Sequence, residues 1–375
     1  MSKKTIRINF TGLSGRGNGF DPHDNAILDM LKKHYDVVVC DDPDYIICGV
    51  IYPHGAFIQG HYDDYILDYP NIRIMIEGEN YVPDYNLVDY SICQYPLKYL
   101  DRNCYFPCGV EAFTSGKTQF RELQDKERCF DKGFIKTKEY FAAFVASHDS
   151  EYNFRGDFFI KLNACKRVES AGSYLNNMPD GQTVDWLDGS KEAFLKKCKF
   201  SLCFESTKHE GFITEKIVEA FYADTIPVYY GSSNIKDIFN PKAFIDVSDY
   251  STFDEAIDRI LEIENNDELY LEMMNQPIFI NPKYPEEKLA EVEQFLCHIF
   301  DQPLEKAYRR SRYLVSEYHE SFMKRATKRE MEGKIWRPAN EVTKDYLRHL
   351  PNHIGMKLLG KKSYASLKRK AKKSQ

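Results

Sequence analysis

The sequence predicts an α/β protein built from two doubly wound parallel sheets, and three observations lead to this fold class. Short apolar runs rich in β-branched residues alternate with segments of helical period, which is the pattern of βαβ units. A polar, charged stretch at residues 116–139 separates two such series. The length of 375 residues is sufficient for two domains, each with its own core.

The first series begins with a strand-like run at residues 5–10. Asp21 and Pro22 are residue types typical of a helix N-cap and first turn, so they predict the start of a helix that runs through residues 26–35. Further strand-like runs lie at 36–40, 44–51, 72–76 and 88–93. Together these elements predict an N-terminal Rossmann-like domain over residues 1–135.

The second series predicts a similar domain over residues 136–300. Its strand-like runs lie at 141–146, 199–204, 225–231 and 243–247, and its clearest helices lie at 154–165 and from 214 onward. Two such domains leave a cleft at which the carboxyl ends of their strands converge.

A helical extension, 301–350, is expected to follow the second domain. From Pro303 a long helix is predicted whose apolar face contains Leu304, Tyr308, Leu314, Tyr318 and Phe322.

Composition excludes several classes of protein. A hydrophobic fraction of 43% with 26 Tyr and 25 Phe excludes a mainly disordered chain. The sequence contains no apolar run of the ~18 residues that a membrane span requires, and MSKKTIRINF lacks the features of a signal peptide. The ten cysteines include no CxxC pair, which favours reduced core thiols over a zinc site. A cytoplasmic location is therefore expected.

The net charge of −6 averages two unlike parts of the chain. Residues 351–375 contain eight Lys or Arg and no acid, so residues 1–350 have a net charge of −14. Within this basic tail, Met356, Leu359, Leu367 and Ala371 form an apolar helical stripe, which predicts attachment to an anionic membrane surface at the inner membrane face. The acidic body argues against a nucleic-acid partner, and a disordered solubilising tail is the alternative.

Two short motifs have simple structural interpretations. The glycine-rich loop Gly12–Gly19 follows a strand and precedes a helix, but its GxGxG spacing differs from the dinucleotide fingerprint. A plain βα loop is favoured, and an NAD-dependent oxidoreductase is the alternative. Asp42-Pro43-Asp44 has the DxD form of metal-dependent sugar transferases, yet Asp and Pro at a turn between strands need no metal to explain them.

Carboxylates at the end of one buried strand form the first catalytic candidate. Glu77 and Glu79 flank Gly78 directly after the run 72–76, at the edge that should face the cleft. A carboxylate there can accept a proton from a sugar hydroxyl as a general base. A solvated turn is an equally simple interpretation of the same residues.

The second candidate follows the run 199–204. Glu205 ends this strand, and Thr214 precedes a helix whose first turn contains Glu215 and Lys216. Glu215 is favourable there because of the helix dipole alone. Lys216 opposes the dipole, which is reasonable if an anion binds at this helix start.

The segment FESTKHEGFITEKIVEAFYADTIPVYYG resembles the signature region of glycosyltransferase family 10, the α-1,3/1,4-fucosyltransferases. GENYVPDYNLVDYSI and FAAFVASHDSEYNFRGDFFIKL resemble bacterial-type members in order and spacing, over roughly residues 5–275. The resemblance implies a GT-B fold and inverting transfer of L-fucose from GDP-fucose to O3 of an N-acetylglucosamine or glucose unit. The implied acceptor is an N-acetyllactosamine-type glycan, such as a lipopolysaccharide O-antigen, and the product is Lewis-antigen-like.

The resemblance also implies roles for individual residues. Glu79 falls on the general base, and Arg155 and Lys216 fall on the cations that bind the diphosphate. Glu215 is expected at the nucleotide ribose or the fucose. The remaining donor-binding residues implied are Glu205, Ser206 and Phe212, of which the last two replace the usual Asn and Tyr. No cofactor is required by this reading, and Mn²⁺ or Mg²⁺ is expected at most to stimulate transfer.

Overall fold

The computed structural model describes residues 3–13, 20–49, 67, 69–114, 116–185 and 188–331. Gly15, Gly17 and Gly19 of the glycine-rich loop and the basic tail 351–375 lie outside these residues, so the predictions about them stay predictions. The chain forms two compact units. Among the described residues, the first unit ends at Arg312 and contains both sheets, and those from Tyr313 onward belong to the second.

The first sheet contains six parallel strands in the order β2-β1-β3-β4-β5-β6. They are β1 (Lys4–Thr11), β2 (Tyr35–Val39), β3 (Tyr45–Cys48), β4 (Ile72–Glu77), β5 (Tyr90–Cys93) and β6 (Asn103–Tyr105). Strands β3, β4 and β5 are buried along their whole length, as expected for parallel strands covered on both faces. Glu77 pairs with Cys93, so β4 and β5 end side by side.

The second sheet contains five parallel strands in the order β11-β10-β9-β7-β8. They are β7 (Tyr140–Phe144), β8 (Val168–Ser170), β9 (Cys198–Phe204), β10 (Ile226–Tyr230) and β11 (Ile245–Asp246). The two parallel sheets confirm the predicted fold class, and the runs predicted at 72–76, 199–204 and 225–231 agree with β4, β9 and β10 to within one residue at each end.

The helices connect the strands and flank both sheets. In the first half of the chain they are α1 (Ala26–Lys32), α2 (Glu111–Thr114), α3 (Gln119–Glu122), α4 (Lys132–Ile135), α5 (Phe154–Cys165) and α6 (Ser190–Lys196). In the second half they are α7 (Glu215–Tyr222), α8 (Phe253–Glu264), α9 (Asp267–Met274), α10 (Tyr284–Asp301), α11 (Leu304–Ala307) and α12 (Val315–Met331). The helix predicted at 154–165 has the bounds of α5, and the one predicted from 214 is α7.

The N-terminal cap predicted for α1 is wrong by four residues. Asn25, not Asp21, caps the helix, because the Asn25 side chain accepts a hydrogen bond from the Leu28 backbone N–H at 3.0 Å. Asp21 accepts instead from the His23 backbone N–H at 2.8 Å, which forms a turn before the helix. Asp and Asn favour both caps and turns, so the residue type alone does not separate the two.

The single long helix predicted from Pro303 is also wrong, because the chain forms α11 and α12 with a break between them. Backbone N–H groups of Arg309 and Arg310 each donate to Asp89 Oδ1 at 2.8 Å, which holds this stretch against the first sheet. Leu314, with φ of 28°, interrupts helical geometry just before α12.

Helices α7 and α10 pack in the same core as the first sheet. Ile217 and Phe221 of α7, together with Leu296 and Phe300 of α10, belong to the apolar cluster that contains the first-sheet strands. The Phe300 ring lies 4.6 Å from the Tyr45 ring. Helix α10 therefore returns to the first sheet, although its sequence lies within the range 136–300 predicted for the second domain.

All ten cysteines are free thiols, and six of them are buried, in agreement with the expected reduced core thiols. Among the described residues, no helix combines the length and the apolar composition needed to cross a membrane.

Candidate active site

A buried carboxylate links the end of β9 to the start of α7. Glu205 follows β9 directly and is 0% exposed. Its Oε1 accepts from the Thr214 backbone N–H at 2.8 Å, and its Oε2 accepts from the Thr214 hydroxyl at 2.8 Å. Thr214 is the N-cap residue of α7, but its side chain makes no capping bond because the hydroxyl is used in this way. Glu205 therefore fixes the start of α7 from outside the helix.

Lys216 lies above this carboxylate in the first turn of α7. Its Nζ donates to Thr214 Oγ1 at 2.8 Å and lies 3.3 Å from both Glu205 Oε2 and Glu215 Oε1. The side chain is 25% exposed, so the ammonium is held in place yet reaches the surface. A cation fixed beside a helix N-terminus suits an anionic ligand such as a phosphate.

Carboxylates from both domains act on Lys216. Burial by itself would lower the pKa of the ammonium, but the charges of Glu205 and Glu215 outweigh burial and raise it above the ordinary value. Glu79, which follows β4 of the first sheet, adds to this increase. The structure therefore brings the candidate base of the first domain within electrostatic range of the candidate cation of the second.

Glu215 is ionised because three lysines act on it, Lys216 most strongly. Burial opposes its charged form, but the cations of Lys216, Lys191 and Lys117 outweigh burial and lower the pKa of Glu215 to about 2. Lys117 and Lys191 also form ion pairs with Glu219 of α7, at 2.7 and 2.5 Å. Glu215 thus remains an acceptor of hydrogen bonds across the physiological pH range.

Arg155 lies at the start of α5 and is only 4% exposed. Its Nε and Nη2 donate to the Phe204 carbonyl at 2.9 and 2.7 Å, and Nη1 donates to the His148 carbonyl at 3.3 Å. Burial lowers the pKa of the guanidinium, and the nearby carboxylates of Glu205 and Glu215 oppose this decrease. The arginine therefore holds the end of β9 and adds positive charge beneath Glu205 and Lys216.

Glu79 is exposed in the turn after β4. Its backbone N–H donates to Glu77 Oε1 at 2.5 Å, and its carbonyl accepts from the Tyr81 N–H at 2.7 Å. Glu77, the last residue of β4, is buried. The two carboxylates that the sequence left equivalent therefore differ: Glu77 shapes the turn, and Glu79 is exposed to solvent.

Ser206 and Phe212, the two remaining residues predicted to bind the donor, differ in burial. Ser206 follows Glu205 and is half-buried, whereas Phe212 is 1% exposed and lies among the largest buried side chains. The Phe212 ring is therefore covered while the loop keeps this position, and its role in donor binding stays a prediction.

The loop 206–213, which we call the donor loop, is held against the first domain. The Gly211 N–H donates to Ser232 Oγ at 2.7 Å and to Asn234 Oδ1 at 3.0 Å, and the Gly211 carbonyl accepts from the Tyr105 hydroxyl at 3.2 Å. The Ile213 carbonyl accepts from the Cys108 N–H at 2.9 Å. The carboxyl ends of both sheets therefore meet at this loop.

The sequence did not single out Gly211, Tyr105 or Asn234, because each bonds a residue distant in the chain. His209, which the sequence left unassigned, lies beside Tyr95 of the first domain with ring centroids 6.1 Å apart. The only sequence signal for these contacts is that they follow buried strands. Among the described residues, no group of three or more His, Cys, Asp or Glu side chains could hold a metal ion.

Two family models match the sequence. The model described as glycosyltransferase family 10 (fucosyltransferase), C-terminal part, matches residues 135–314. The model described as the alpha-(1,3)-fucosyltransferase FucT N-terminal domain matches residues 8–110. The two models together cover most of the chain and both sheets.

The chain is also similar to individual curated proteins. It is 33% identical over 235 residues to alpha-(1,3)-fucosyltransferase FucT of Helicobacter pylori, which covers 56% of this chain and 48% of that protein. It is 29% identical over 143 residues to the 4-galactosyl-N-acetylglucosaminide 3-alpha-L-fucosyltransferase 9 of Homo sapiens, which covers 38% of each chain. The chain thus spans less than half the length of these relatives.

A solved structure of an alpha1,3-fucosyltransferase with GDP-fucose is similar to this fold, with a TM-score of 0.58 and 25% identity. The match covers 79% of this chain and 91% of that one. A structure of an alpha1,3-fucosyltransferase with GDP matches with a TM-score of 0.59 at 24% identity, over 83% and 94% of the two chains. These likenesses confirm the expected GT-B arrangement of two parallel-sheet domains.

Proposed function

The chain belongs to glycosyltransferase family 10, and on that premise we propose that it is an α-1,3-fucosyltransferase that transfers L-fucose from GDP-fucose to a glycan. One observation carries the proposal: Lys216, a cation anchored at the start of α7 by Thr214, lies within electrostatic range of Glu79, an exposed carboxylate of the other domain. An anionic leaving group and a hydroxyl nucleophile need these two charges on opposite sides of the reacting carbon.

The reaction we propose is a single displacement with inversion. The acceptor hydroxyl, O3 of an N-acetylglucosamine or glucose unit, attacks C1 of fucose while Glu79 removes its proton. The bond between C1 and the diphosphate oxygen breaks, and GDP leaves with the electron pair. Positive charge develops on the sugar ring in the transition state, and negative charge develops on the departing diphosphate.

Lys216 and Arg155 supply the charge that stabilises the leaving group in this proposal. Lys216 acts directly from the helix start, because its ammonium is partly exposed. Arg155 acts mainly through its field, because Nε and Nη2 already bind the Phe204 carbonyl. Glu215, ionised by its lysine neighbours, accepts hydrogen bonds from ribose or fucose hydroxyls.

Replacing the proposed base tests the function. We expect Glu79→Gln to lower kcat by about 10²- to 10⁴-fold, the usual contribution of general-base catalysis, while GDP-fucose still binds. GDP release and mass spectrometry of the product, with lactose and N-acetyllactosamine as acceptors, measure the effect. Glu272→Gln on the exposed surface of α9 is the matched control and should retain full activity.

The same assay separates this function from two alternatives, a non-catalytic nucleotide-sugar binder and the NAD-dependent oxidoreductase. A non-catalytic nucleotide-sugar binder would bind GDP-fucose but transfer nothing, in either variant. An NAD-dependent oxidoreductase using the Gly12–Gly19 loop would bind NAD and would be indifferent to Lys216→Ala. Transfer of a sugar other than fucose would refute the proposed donor.

Transfer by these residues is proposed to need no metal ion, since Lys216 and Arg155 supply the positive charge. Activity should then survive dialysis against EDTA, with Mn²⁺ or Mg²⁺ giving at most a modest stimulation. Complete loss of activity in EDTA, restored by Mn²⁺, would contradict this part of the proposal.

We further propose that the basic tail 351–375 holds the enzyme at an anionic membrane surface at the inner membrane face, where a lipid-linked glycan such as a lipopolysaccharide O-antigen would be its acceptor. The support is the sequence: eight basic residues, no acid and an apolar helical stripe. Co-sedimentation with vesicles containing phosphatidylglycerol should fall strongly when Lys368, Arg369 and Lys370 are changed to Glu. Equal binding to neutral vesicles would contradict the proposal.

A further inference from the structure

A buried carboxamide lies at the carboxyl end of the first sheet. Gln94 follows β5 directly and is 0% exposed. Neither its Oε1 nor its Nε2 has a hydrogen-bond partner among the residues that the structure describes. Buried amides of this kind are uncommon, because an unsatisfied donor and acceptor both cost free energy away from water.

The position of Gln94 connects it to the proposed base. Because Glu77 pairs with Cys93, Gly78 and Gln94 are the next neighbours along β4 and β5. A methyl group added to Gly78 would lie 3.7 Å from Gln94 Nε2 and 3.4 Å from the Val110 side chain. The carboxamide therefore lies against the Glu77–Glu79 turn, one residue from Glu79.

The donor loop covers the other side of the same residue. A methyl group added to Gly211 would lie 2.8 Å from the backbone carbonyl oxygen of Gln94 and 2.4 Å from the Pro96 ring. Gln94 thus lies between the turn that carries the proposed base and the loop that precedes Lys216. No described side chain pairs with the amide.

A carboxamide at this place matches a particular class of ligand. It carries both donors and acceptors and no charge, which suits the neighbouring hydroxyl groups of a sugar. An apolar side chain of similar size would fill the same space without leaving two polar atoms unpaired. The cations suited to the donor diphosphate are on the second domain, whereas Gln94 is on the first domain beside Glu79.

We propose that Gln94 recognises the acceptor sugar by hydrogen bonds to hydroxyls next to the one that Glu79 deprotonates. The inference rests on the proposed fucosyl transfer and identifies a residue that selects the acceptor. Because the amide is 0% exposed in this arrangement, the proposal includes a movement of the donor loop away from Pro96 that opens the site. The acceptor then supplies the partners that the described residues do not.

The test replaces the carboxamide by a side chain of similar shape. Gln94→Met should raise the acceptor KM, measured with N-acetyllactosamine, on the order of tenfold, the size expected for one or two neutral hydrogen bonds. The KM for GDP-fucose should change less than twofold, and Tm should be unchanged or higher because no existing hydrogen bond is lost. Saturation-transfer NMR of N-acetyllactosamine with the GDP complex gives acceptor binding independently of turnover.

Tyr270→Phe is the matched control, since the Tyr270 hydroxyl is likewise buried without a partner among the described residues but lies in the second-sheet core. It should leave both KM values unchanged. An unchanged acceptor KM in Gln94→Met, or a Tm lowered well below that of the control, would overturn the inference in favour of a purely structural amide. If the wild-type protein neither binds nor fucosylates N-acetyllactosamine or lactose, the proposed function fails first, and this inference fails with it.

Discussion

Lys216 is the residue at which the electrostatics of the site converge. It contacts Thr214 and Glu205, which are both buried. The charge of Glu79 in the first domain also contributes to the raised pKa of its ammonium. The two cations predicted from the family resemblance therefore act differently. Arg155 has most of its hydrogen-bonding capacity committed to carbonyl groups, so Lys216 is the one whose charge is available to a ligand.

Removing the Lys216 ammonium should lower catalysis and also stability, because buried Glu205 loses its ion pair. We expect Lys216→Ala to lower kcat by about 10²- to 10³-fold, as for other preorganised groups that stabilise developing charge. Lys216→Arg should recover only part of the activity, because a planar fork does not reproduce the point charge above Thr214. Steady-state kinetics with GDP-fucose measure the effect. Lys161→Ala, which removes an exposed ion pair with Asp254, is the control, and an equal loss there would contradict a specific role.

The pair of elements β9 and α7 determines where these residues lie. Strand β9 ends at the carbonyl that Arg155 binds, Glu205 follows it, and Glu205 in turn holds the cap residue of α7. Helix α7 then packs against β9 and β10, and its Ile217 and Phe221 belong to the apolar cluster that also includes residues of the first sheet. Movement of the donor loop between these elements therefore breaks contacts to both domains.

Gly211 is the point in that loop where a side chain cannot be accommodated. Its φ is +86°, and an added methyl group would lie 2.4 Å from the Pro96 ring. Gly211→Ala should lower the free energy of unfolding by about 1–2 kcal/mol because of the left-handed backbone, and by a larger amount because of the steric clash. We expect kcat to fall as well. Gly181→Ala is the matched control, because Gly181 has φ of +66° with no neighbour within 4 Å. Urea unfolding measures both, and equal losses would show that the contact with Pro96 contributes nothing.

At the scale of the whole molecule, Asp89 joins the end of the first unit to the first sheet. This buried carboxylate accepts from the Arg73 backbone N–H at 2.8 Å and from the backbone N–H groups of Arg309 and Arg310. The Arg310 guanidinium lies 3.0 Å from it, also buried. The chain thus returns from the second sheet to the first, where the Asp89 carboxylate binds the segment that contains Arg309 and Arg310.

Neutralising Asp89 should release this connection. Asp89→Asn leaves the Arg310 guanidinium buried without its counter-charge, and we expect a loss of about 3–5 kcal/mol in the free energy of unfolding. Chemical denaturation measures the change. Asp42→Asn removes an exposed ion pair with Arg7 and should change stability by no more than the experimental error. Comparable losses in the two variants would refute the importance of the buried charge.

Buried thiols make the whole molecule sensitive to alkali. Burial raises the pKa of Cys48, Cys104, Cys198 and Cys203 from 9.0 to about 12. Above pH 9 the unfolded chain releases these protons while the folded protein keeps them. Their contribution to stability is therefore complete below pH 9 and is lost as the pH rises toward 12, by up to about 1.4 kcal/mol per pH unit for each thiol.

Urea unfolding between pH 8 and 10.5 tests this dependence. Cys198→Ala should show a weaker decrease of stability with pH than the wild type, whatever the cavity costs at pH 8. Cys165→Ala, at an exposed position, should show the wild-type slope. Identical slopes in all three proteins would mean that the buried thiols do not titrate as described.

The sequence alone predicted those features of the fold and the site that depend on residues close together in the chain. The alternation of apolar runs and helical periods predicted both parallel sheets, and the run from Glu205 to Lys216 placed a carboxylate, a cap and a cation within twelve residues. It failed where two local interpretations compete, as at Asp21 and Asn25, and where a distant contact breaks a helical pattern, as at Arg309.

Only the tertiary structure decided which distant residues meet. Glu79 acts electrostatically on Lys216, Gln94 lies between the Glu77–Glu79 turn and the donor loop, and Asp89 holds Arg309 and Arg310. In each case more than 100 residues separate the partners along the chain. Local periodicity reflects the burial of each element on its own. The pairing of elements depends on how the sheets pack, and that packing brings together the two charges that the proposed chemistry requires.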